Sequence, residues 1–176
     1  MPEMGLRDAT AADAAAIAAL HTASWQTAYA HILDAGWLAN ALPADRLQVW
    51  TQRFGAADPG MRVLLAEDGE GLAGFVCLFV AADPHWGSHV DNLHVRPQLR
   101  GNGLGRRLLA AAAQIALEEA PGLGLDLHVY AANVAARSFY RRLGGLESLA
   151  EKETAPDGSQ QRYQRVWWPN PQALVA

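Results

Sequence analysis

A glycine-rich turn is the segment of this sequence with the clearest chemical potential. It reads Arg100-Gly-Asn-Gly-Leu-Gly105, and it lies between a run of strand-forming residues and a run of helix-forming residues. Because glycine lacks a Cβ atom, successive backbone N–H groups can turn toward one point, and the start of a helix adds unpaired N–H groups with a partial positive charge. The turn therefore indicates a binding site for a phosphate or pyrophosphate group.

Two common phosphate-binding loops do not fit this turn. The Walker loop needs a lysine and then a serine or threonine after its last glycine, whereas Arg106 and Arg107 stand there. The dinucleotide fingerprint Gly-x-Gly-x-x-Gly can start at Gly101, but it meets Arg106 where its last glycine should be. A nucleotide-binding module is therefore the weakest of the alternatives.

Two motifs together resemble one family of enzymes. The turn Arg100–Gly105 fits the Arg/Gln-x-x-Gly-x-Gly/Ala acyl-CoA loop of the GNAT superfamily of N-acetyltransferases. The later segment Asn133-Val-Ala-Ala-Arg-Ser-Phe-Tyr140-Arg-Arg-Leu-Gly144 resembles the Asn-x-x-Ala-x-x-Phe-Tyr-x-x-x-Gly signature of that superfamily, again after a short apolar strand. The order of the predicted elements from Arg7 to Trp168 is similar to the superfamily's order as well.

The resemblance implies that acetyl-CoA is the acyl donor and that no metal takes part. In the superfamily the backbone of the strand before the loop holds the pantetheine arm, the loop holds the pyrophosphate, and the asparagine contacts amide groups of the donor. The donor-binding residues implied here are Leu93, Val95, Arg100, Gly101, Asn102, Gly103, Leu104, Gly105, Arg106 and Asn133. Asn133 is also suited to cap the helix that follows it, and Arg106 to be a solvated cation.

Tyr140 matches the tyrosine that donates a proton to the departing CoA thiolate in the superfamily. The resemblance also implies direct attack on the thioester without an acyl-enzyme, so Cys77 needs no catalytic role, and its apolar strand indicates a core thiol. With reference pKa values of about 10 for tyrosine and 8.5 for a thiol, the proton transfer is uphill by about 2 kcal/mol. The structural alternative is that Phe139 and Tyr140 form an aromatic core pair.

A proton acceptor for the incoming amine is the point at which the sequence departs from the superfamily. Many relatives carry a glutamate on the strand before the loop, whereas this strand offers His89 and Asp91. Strict alternation places these two side chains on one face of the strand, and Asn92 and His94 on the other. We expect His89 or Asp91 to be the base, directly or through a water molecule, and we favour His89 because its reference pKa lies near neutrality.

The acceptor is expected to bind beside the connector from Ser24 to Trp37, which lies near the acceptor cleft in members of the superfamily. Trp25 and Tyr29 are candidates to contact an amine through cation–π interactions. Their i, i+4 spacing is equally typical of residues that pack a helix. The acceptor itself stays open between a small-molecule amine and the α-amine of a protein.

A mixed α/β (α+β) fold would bring these residues together. Strands are predicted at 5–9, 62–67, 72–81, 90–95, 125–129, 146–153 and 162–168, and helices at 10–29, 44–54, 103–119 and 133–143. The resemblance implies a mixed, mostly antiparallel sheet flanked by helices. In that fold the strands at 90–95 and 125–129 run parallel and splay apart, which opens the acyl-CoA cleft.

Length and composition are consistent with one enzyme domain over residues 1–176. The net charge of −4 gives no field to hold a nucleic acid or an anionic membrane. One cysteine excludes an internal disulfide, and neither a secretory signal nor a membrane span is visible, so we expect a cytoplasmic protein. A homodimer through the closing Trp167-Trp168 strand is compatible with the sequence. The rival function is a non-catalytic acyl-CoA-binding domain for sensing or assembly.

Overall fold

The computed structural model describes residues 4–176 and contains one mixed sheet. Its strands are β1 (Leu6–Asp8), β2 (Met61–Asp68), β3 (Gly71–Asp83), β4 (Gly87–Val95), β5 (Leu125–Tyr130), β6 (Leu146–Glu147), β7 (Glu151–Thr154) and β8 (Gln160–Trp168). Their order is β1-β2-β3-β4-β5-β8-β6, and β7 also pairs with β8. All neighbours are antiparallel except β4 and β5, which confirms the predicted mixed α/β fold.

Helices cover both faces of this sheet. They are α1 (Ala14–Ala28), α2 (Ala35–Asn40), α3 (Leu42–Ala56), α4 (Leu104–Glu119), α5 (Val134–Arg142) and α6 (Gln172–Val175). On one face, which we call the α4 face, α4 buries Leu108 against the β3 residues Val76 and Leu78. On the opposite α1 face, α1 and α3 bury Ile17 and Trp50 against other residues of the same strands.

The parallel strands β4 and β5 part after a short stretch. They pair only from Ser88 with Leu125 to Val90 with Leu127, although β4 continues to Val95 and β5 to Tyr130. Beyond these pairs the β4 edge that faces β5 has no strand partner among the described residues. The predicted splay is therefore present, and it opens a gap through the sheet.

A β-bulge in β4 lies at the point where the strands part. Cys77 of β3 pairs with Asn92, but the next residue, Leu78, pairs with Val90, so Asp91 is an extra residue without a partner in β3. Such a bulge bends the strand and changes the direction of its side chains. It therefore contributes to the separation of β4 from β5.

The bulge makes the prediction from strict alternation wrong. Arg53 of α3 donates hydrogen bonds to both Asp91 and Asn92, the latter at 2.6 Å, so these neighbours share the α1 face. His89 lies on that face too, with its Nε2 3.7 Å from Asp91 Oδ1. The extra residue shifts the alternation of side chains between the two faces of β4. The sequence does not reveal where such a bulge lies.

Two other segments differ from the predicted elements. The connector after α1 contains a further helix, α2, because Asp34 caps it by accepting a hydrogen bond from the Trp37 N–H at 2.7 Å. The strand predicted at 146–153 is divided into β6 and β7. At the break the Ser148 side-chain Oγ accepts the Arg165 N–H at 3.0 Å.

The two tryptophans that end β8 pack within the chain. Trp168 is buried in the core, where its Nε1 donates to the Leu143 carbonyl at 2.9 Å. Trp167 contacts Trp86 edge to face, with ring centroids 5.1 Å apart. Over residues 4–176, none of the helices combines the length and the apolar character that crossing a membrane requires.

Candidate active site

A cleft of about 730 Å³ occupies the gap between the parted strands. The loop before α4, helix α5 and the end of α1 close its sides. The residues predicted from the sequence that line it are Tyr29, Asp91, Leu93, Val95, Arg100, Gly101, Gly103, Gly105, Arg106, Asn133 and Tyr140. His89, Trp25, Asn102 and Leu104 do not line it.

The β4 edge presents unused backbone groups to this cleft. The Arg96 N–H donates to Ala73 of β3, and a Cβ atom on Gly74 would lie 3.0 Å from the His94 carbonyl oxygen, so the backbone groups of both residues point toward β3. Because successive residues of a strand point their backbone groups in opposite directions, those of Leu93 and Val95 point toward the gap. An extended ligand with amide groups can therefore add to β4 in place of a strand.

The loop before α4 forms a cradle of backbone amides. Gly101 and Gly103 have φ angles of 83° and 82°, which residues with a side chain adopt at a cost. The first N–H groups of α4 have no acceptor within the helix, and the first backbone bond into it runs from Arg107 to Gly103 at 3.1 Å. The side chain of Leu104 is buried in the core, so only its N–H group is available to an anion.

Arg100 is held beside this cradle by a residue of α1. Its Nη2 donates to the Ser24 Oγ at 3.0 Å, and the same Oγ lies 2.8 Å from His94 Nδ1. Burial, and then the charge of Arg100, lower the pKa of His94 to about 3, so its ring is neutral at physiological pH. The sequence did not indicate the contribution of Ser24, because nothing local distinguishes it from other polar helix residues.

Asn133 combines the two roles expected of it. Its side-chain Oδ1 accepts the Ala136 N–H at 3.2 Å and so caps α5. The side chain lies on the cleft wall, and its amide nitrogen is the group left to donate to a ligand.

Tyr140 lies in α5 with its ring half-buried against the core. The ring centroid lies 5.2 Å from that of Phe139 and 6.1 Å from that of Trp168. Burial raises the pKa of Tyr140 above the ordinary value near 10, so the phenol is neutral at physiological pH and its hydroxyl is a hydrogen-bond donor. Tyr140 therefore both forms an aromatic pair with Phe139 and lines the cleft.

His89 and Asp91 belong to a network of charges on the α1 face. His89 Nδ1 lies 2.9 Å from Asp126 Oδ1, and Arg165 donates to the other oxygen of that buried carboxylate. Burial lowers the pKa of His89, but its hydrogen bond to Asp126 and its ion pair with Asp91 outweigh that effect and raise the pKa to about 9. At neutral pH His89 therefore already carries the proton that a base would have to accept, which differs from the expectation drawn from its reference pKa.

Asp91 remains ionised within the same network. Burial raises its pKa, but the ion pair with His89 and the charge of Arg53 outweigh burial and hold the pKa well below its usual range. Its side chain is 32% exposed on the cleft wall. Asp91 is thus a weak proton acceptor but a fixed negative charge in the cleft.

The two aromatic residues that were predicted to contact the acceptor lie in different environments in the structure. Trp25 is 8% exposed, and its ring carries the Arg46 guanidinium 4.5 Å from its centroid, so it belongs to the core beneath the connector. Tyr29 lines the cleft and contacts Tyr130 edge to face at 5.1 Å. The helix-packing alternative therefore describes Trp25, and only Tyr29 reaches the cleft.

Comparisons with known proteins agree with this geometry. Over 113 residues the chain is 35% identical to streptothricin acetyltransferase from Streptomyces lavendulae, an alignment that spans 61% of this chain and 57% of that protein. The crystal structure of nourseothricin acetyltransferase superposes with a TM-score of 0.52 at 32% identity, covering 62% of this chain and 66% of the other.

Structures of lower sequence identity share the fold. An N-acetyltransferase from Thermoplasma acidophilum, solved in complex with coenzyme A, superposes with a TM-score of 0.72 at 18% identity and covers 94% of this chain and 99% of its own. The profile of the acetyltransferase (GNAT) family matches residues 17–145, which include the loop, the parted strands and α5. The chain therefore belongs to the GNAT acetyltransferase family.

Proposed function

We propose that this protein transfers an acetyl group from acetyl-CoA to the primary amine of a small molecule by direct attack. The observation that carries the proposal is the position of the amide cradle at one end of the gap between β4 and β5. A ligand with a pyrophosphate in the cradle can continue as an extended amide-bearing arm along Leu93 and Val95. Acetyl-CoA has both parts in this order.

A carboxylate in the cleft, that of Asp91, supports an amine as the acceptor. An amine of lysine type has a pKa of about 10.4 and arrives as an ammonium ion. Asp91 offers an ionised carboxylate on the cleft wall, and Tyr29 offers an aromatic face. The relatives named for streptothricin and nourseothricin favour a small-molecule amine over the α-amine of a protein.

Tyr140 is proposed to assist departure of the thiolate. As the acceptor nitrogen forms its bond to the carbonyl carbon, the carbon–sulfur bond breaks and negative charge develops on sulfur. The neutral phenol donates a hydrogen bond to that sulfur and can pass its proton to it. Because burial raises the pKa of Tyr140 further above that of a thiol, the hydrogen bond forms before any proton transfer.

The substitution Tyr140→Phe tests this assignment. It removes one oxygen and retains the ring that packs on Trp168, so we expect kcat to fall by about 10²-fold while the Kd of acetyl-CoA stays within about twofold. Steady-state thiol release and calorimetric binding measure the two quantities. An unchanged kcat, or a loss of donor binding, would contradict the role of the phenol.

The rival function is distinguished in the same assays. A non-catalytic acyl-CoA-binding domain would bind the donor but release no thiol with any acceptor. A panel of streptothricin, spermidine, amino acids and short peptides with free α-amines covers the acceptor classes. Turnover with the peptides alone would redirect the proposal to a protein α-amine.

A further inference from the structure

The neighbourhood of His128 on β5 contains chemistry that the proposed function does not use. Leu127 and Val129, its neighbours in the strand, are buried in the core on the α4 face. His128 therefore points to the α1 face, where its side chain is exposed and lines the cleft. It is the first residue of β5 beyond the last pair with β4, so it faces Asp91 across the opening.

The imidazole of His128 is available to a ligand. Its ring lies edge to face with that of His89, with centroids 5.0 Å apart, and tilted against that of Tyr163 at 4.7 Å. Within residues 4–176 neither of its ring nitrogens forms a hydrogen bond to the protein. The packing on two rings fixes the orientation of the imidazole without occupying its nitrogens.

Charged groups on β4, β5 and β8 surround this imidazole. Partial burial beneath its neighbours, then the charges of His89 and Arg165, lower the pKa of His128 from 6.5, whereas Asp126 and Asp91 oppose that shift. His89 is cationic because both carboxylates bind it. The network thus places a protonated histidine directly beside a neutral one.

We propose that His128 is the catalytic base, which accepts a proton from the acceptor ammonium in the cleft. This inference rests on the proposed function, because it concerns the acceptor of the same reaction. His89 is then a positioning residue whose charge keeps the neighbouring ring free of a proton. Asp91 holds the ammonium close to that ring as a fixed negative charge.

The protons balance in the following way. The ammonium gives one proton to a ring nitrogen of His128, and the freed lone pair forms the carbon–nitrogen bond as the carbon–sulfur bond breaks. The nitrogen then loses its second proton to solvent, while the sulfur gains one through Tyr140, which recovers a proton from water. His128 returns its proton to solvent before the next turnover.

The first test is the pH dependence of kcat in His128→Gln. For the unaltered protein we expect kcat to fall on the acidic side with a midpoint below pH 6.5, because the base must be neutral. In the variant we expect kcat at pH 7.5 to fall by about 10²-fold and this acidic limb to disappear, with the Kd of acetyl-CoA unchanged. His85→Gln, an exposed histidine at the hairpin tip between β3 and β4, is the matched control and should retain the limb.

The second test moves the pKa without removing the base. In His89→Gln the charge 5.0 Å from His128 is lost, so the midpoint of the limb should rise by about 0.5 to 1 pH unit. NMR titration of the His128 ring in the free protein should show the same upward shift without any turnover. A merely structural role of His89 would lower kcat at every pH and leave the midpoint in place.

The outcomes separate the two proposals. If the unaltered protein releases thiol with an acceptor but His128→Gln retains its rate and its acidic limb, the base is elsewhere and only this inference fails. If NMR shows that His128 is protonated at pH 7, the inference fails whether or not the protein turns over. If no acceptor gives thiol release, the proposed function fails, and the titration still reports whether His89 controls His128.

Discussion

Arg100→Ala is the substitution that most sharply tests how the loop holds the donor. In the structure this guanidinium stands beside the amide cradle, and one of its nitrogens is bonded to Ser24. The remaining donors are free to form charge-assisted bonds with the pyrophosphate. Replacement by alanine removes these donors and the positive charge, but it leaves the glycines and the helix start unchanged.

The magnitude follows from the exposure of this side chain. A hydrogen bond to a charged group contributes about 1.5 to 3 kcal/mol. Arg100 is solvent-exposed, so screening by water places its contribution in the lower half of that range, about 1.5 to 2 kcal/mol. This corresponds to an increase of about 10- to 30-fold in the Kd of acetyl-CoA.

Isothermal calorimetry at low and high salt measures the effect, and Ser24→Ala is the informative companion. That variant keeps the charge of Arg100 but removes the hydroxyl that orients it, so we expect a Kd increase of only about 2- to 5-fold. The weakening in Arg100→Ala should shrink as salt is added. A Kd within twofold of the unaltered protein for Arg100→Ala would refute the assignment of this residue to the pyrophosphate.

Three further predictions concern the loop, the thiol and the buried histidines. Arg106→Ala should weaken acetyl-CoA binding by about 2- to 5-fold, whereas Arg107→Ala, whose side chain does not line the cleft, should not; equal effects would contradict the geometry. Cys77→Ala should keep its kcat because burial raises the pKa of the thiol to about 12, and a lost kcat would refute this. His21 is buried and His94 half-buried, and both have lowered pKa values, so the free energy of unfolding should fall below pH 6.5 by up to about 2.7 kcal/mol per pH unit; equal urea midpoints at pH 7 and 5.5 would contradict this.

Local signals in the sequence were sufficient to predict most of the fold. Thr10 and Asp13 have the spacing of a capping box and start the first helical segment, with the Thr10 N–H donating to Asp13 Oδ2 at 2.7 Å. The turn before α4 and the signature on α5 both reach the same cleft. Such features are predictable because their physical causes, which are caps, glycine conformations and apolar periodicity, act over a few neighbouring residues.

The charge network could not be predicted, because its members come from distant parts of the chain. His89 pairs with Asp126 of β5 and Asp91 with Arg53 of α3, and Arg165 of β8 binds Asp126 in turn. A reference pKa describes none of these neighbours. Their combined effect protonates His89, against the expectation from its reference pKa, and favours the neutral form of His128.

The most direct measurement of the central claim is acetyl-CoA binding by calorimetry together with thiol release across the panel of amines. We expect the donor to bind without an acceptor and thiol release to depend on a primary amine. We further expect release to fall on the acidic side of neutrality. Failure of acetyl-CoA to bind would contradict the central claim, because the cradle and the parted strands would then bind another ligand.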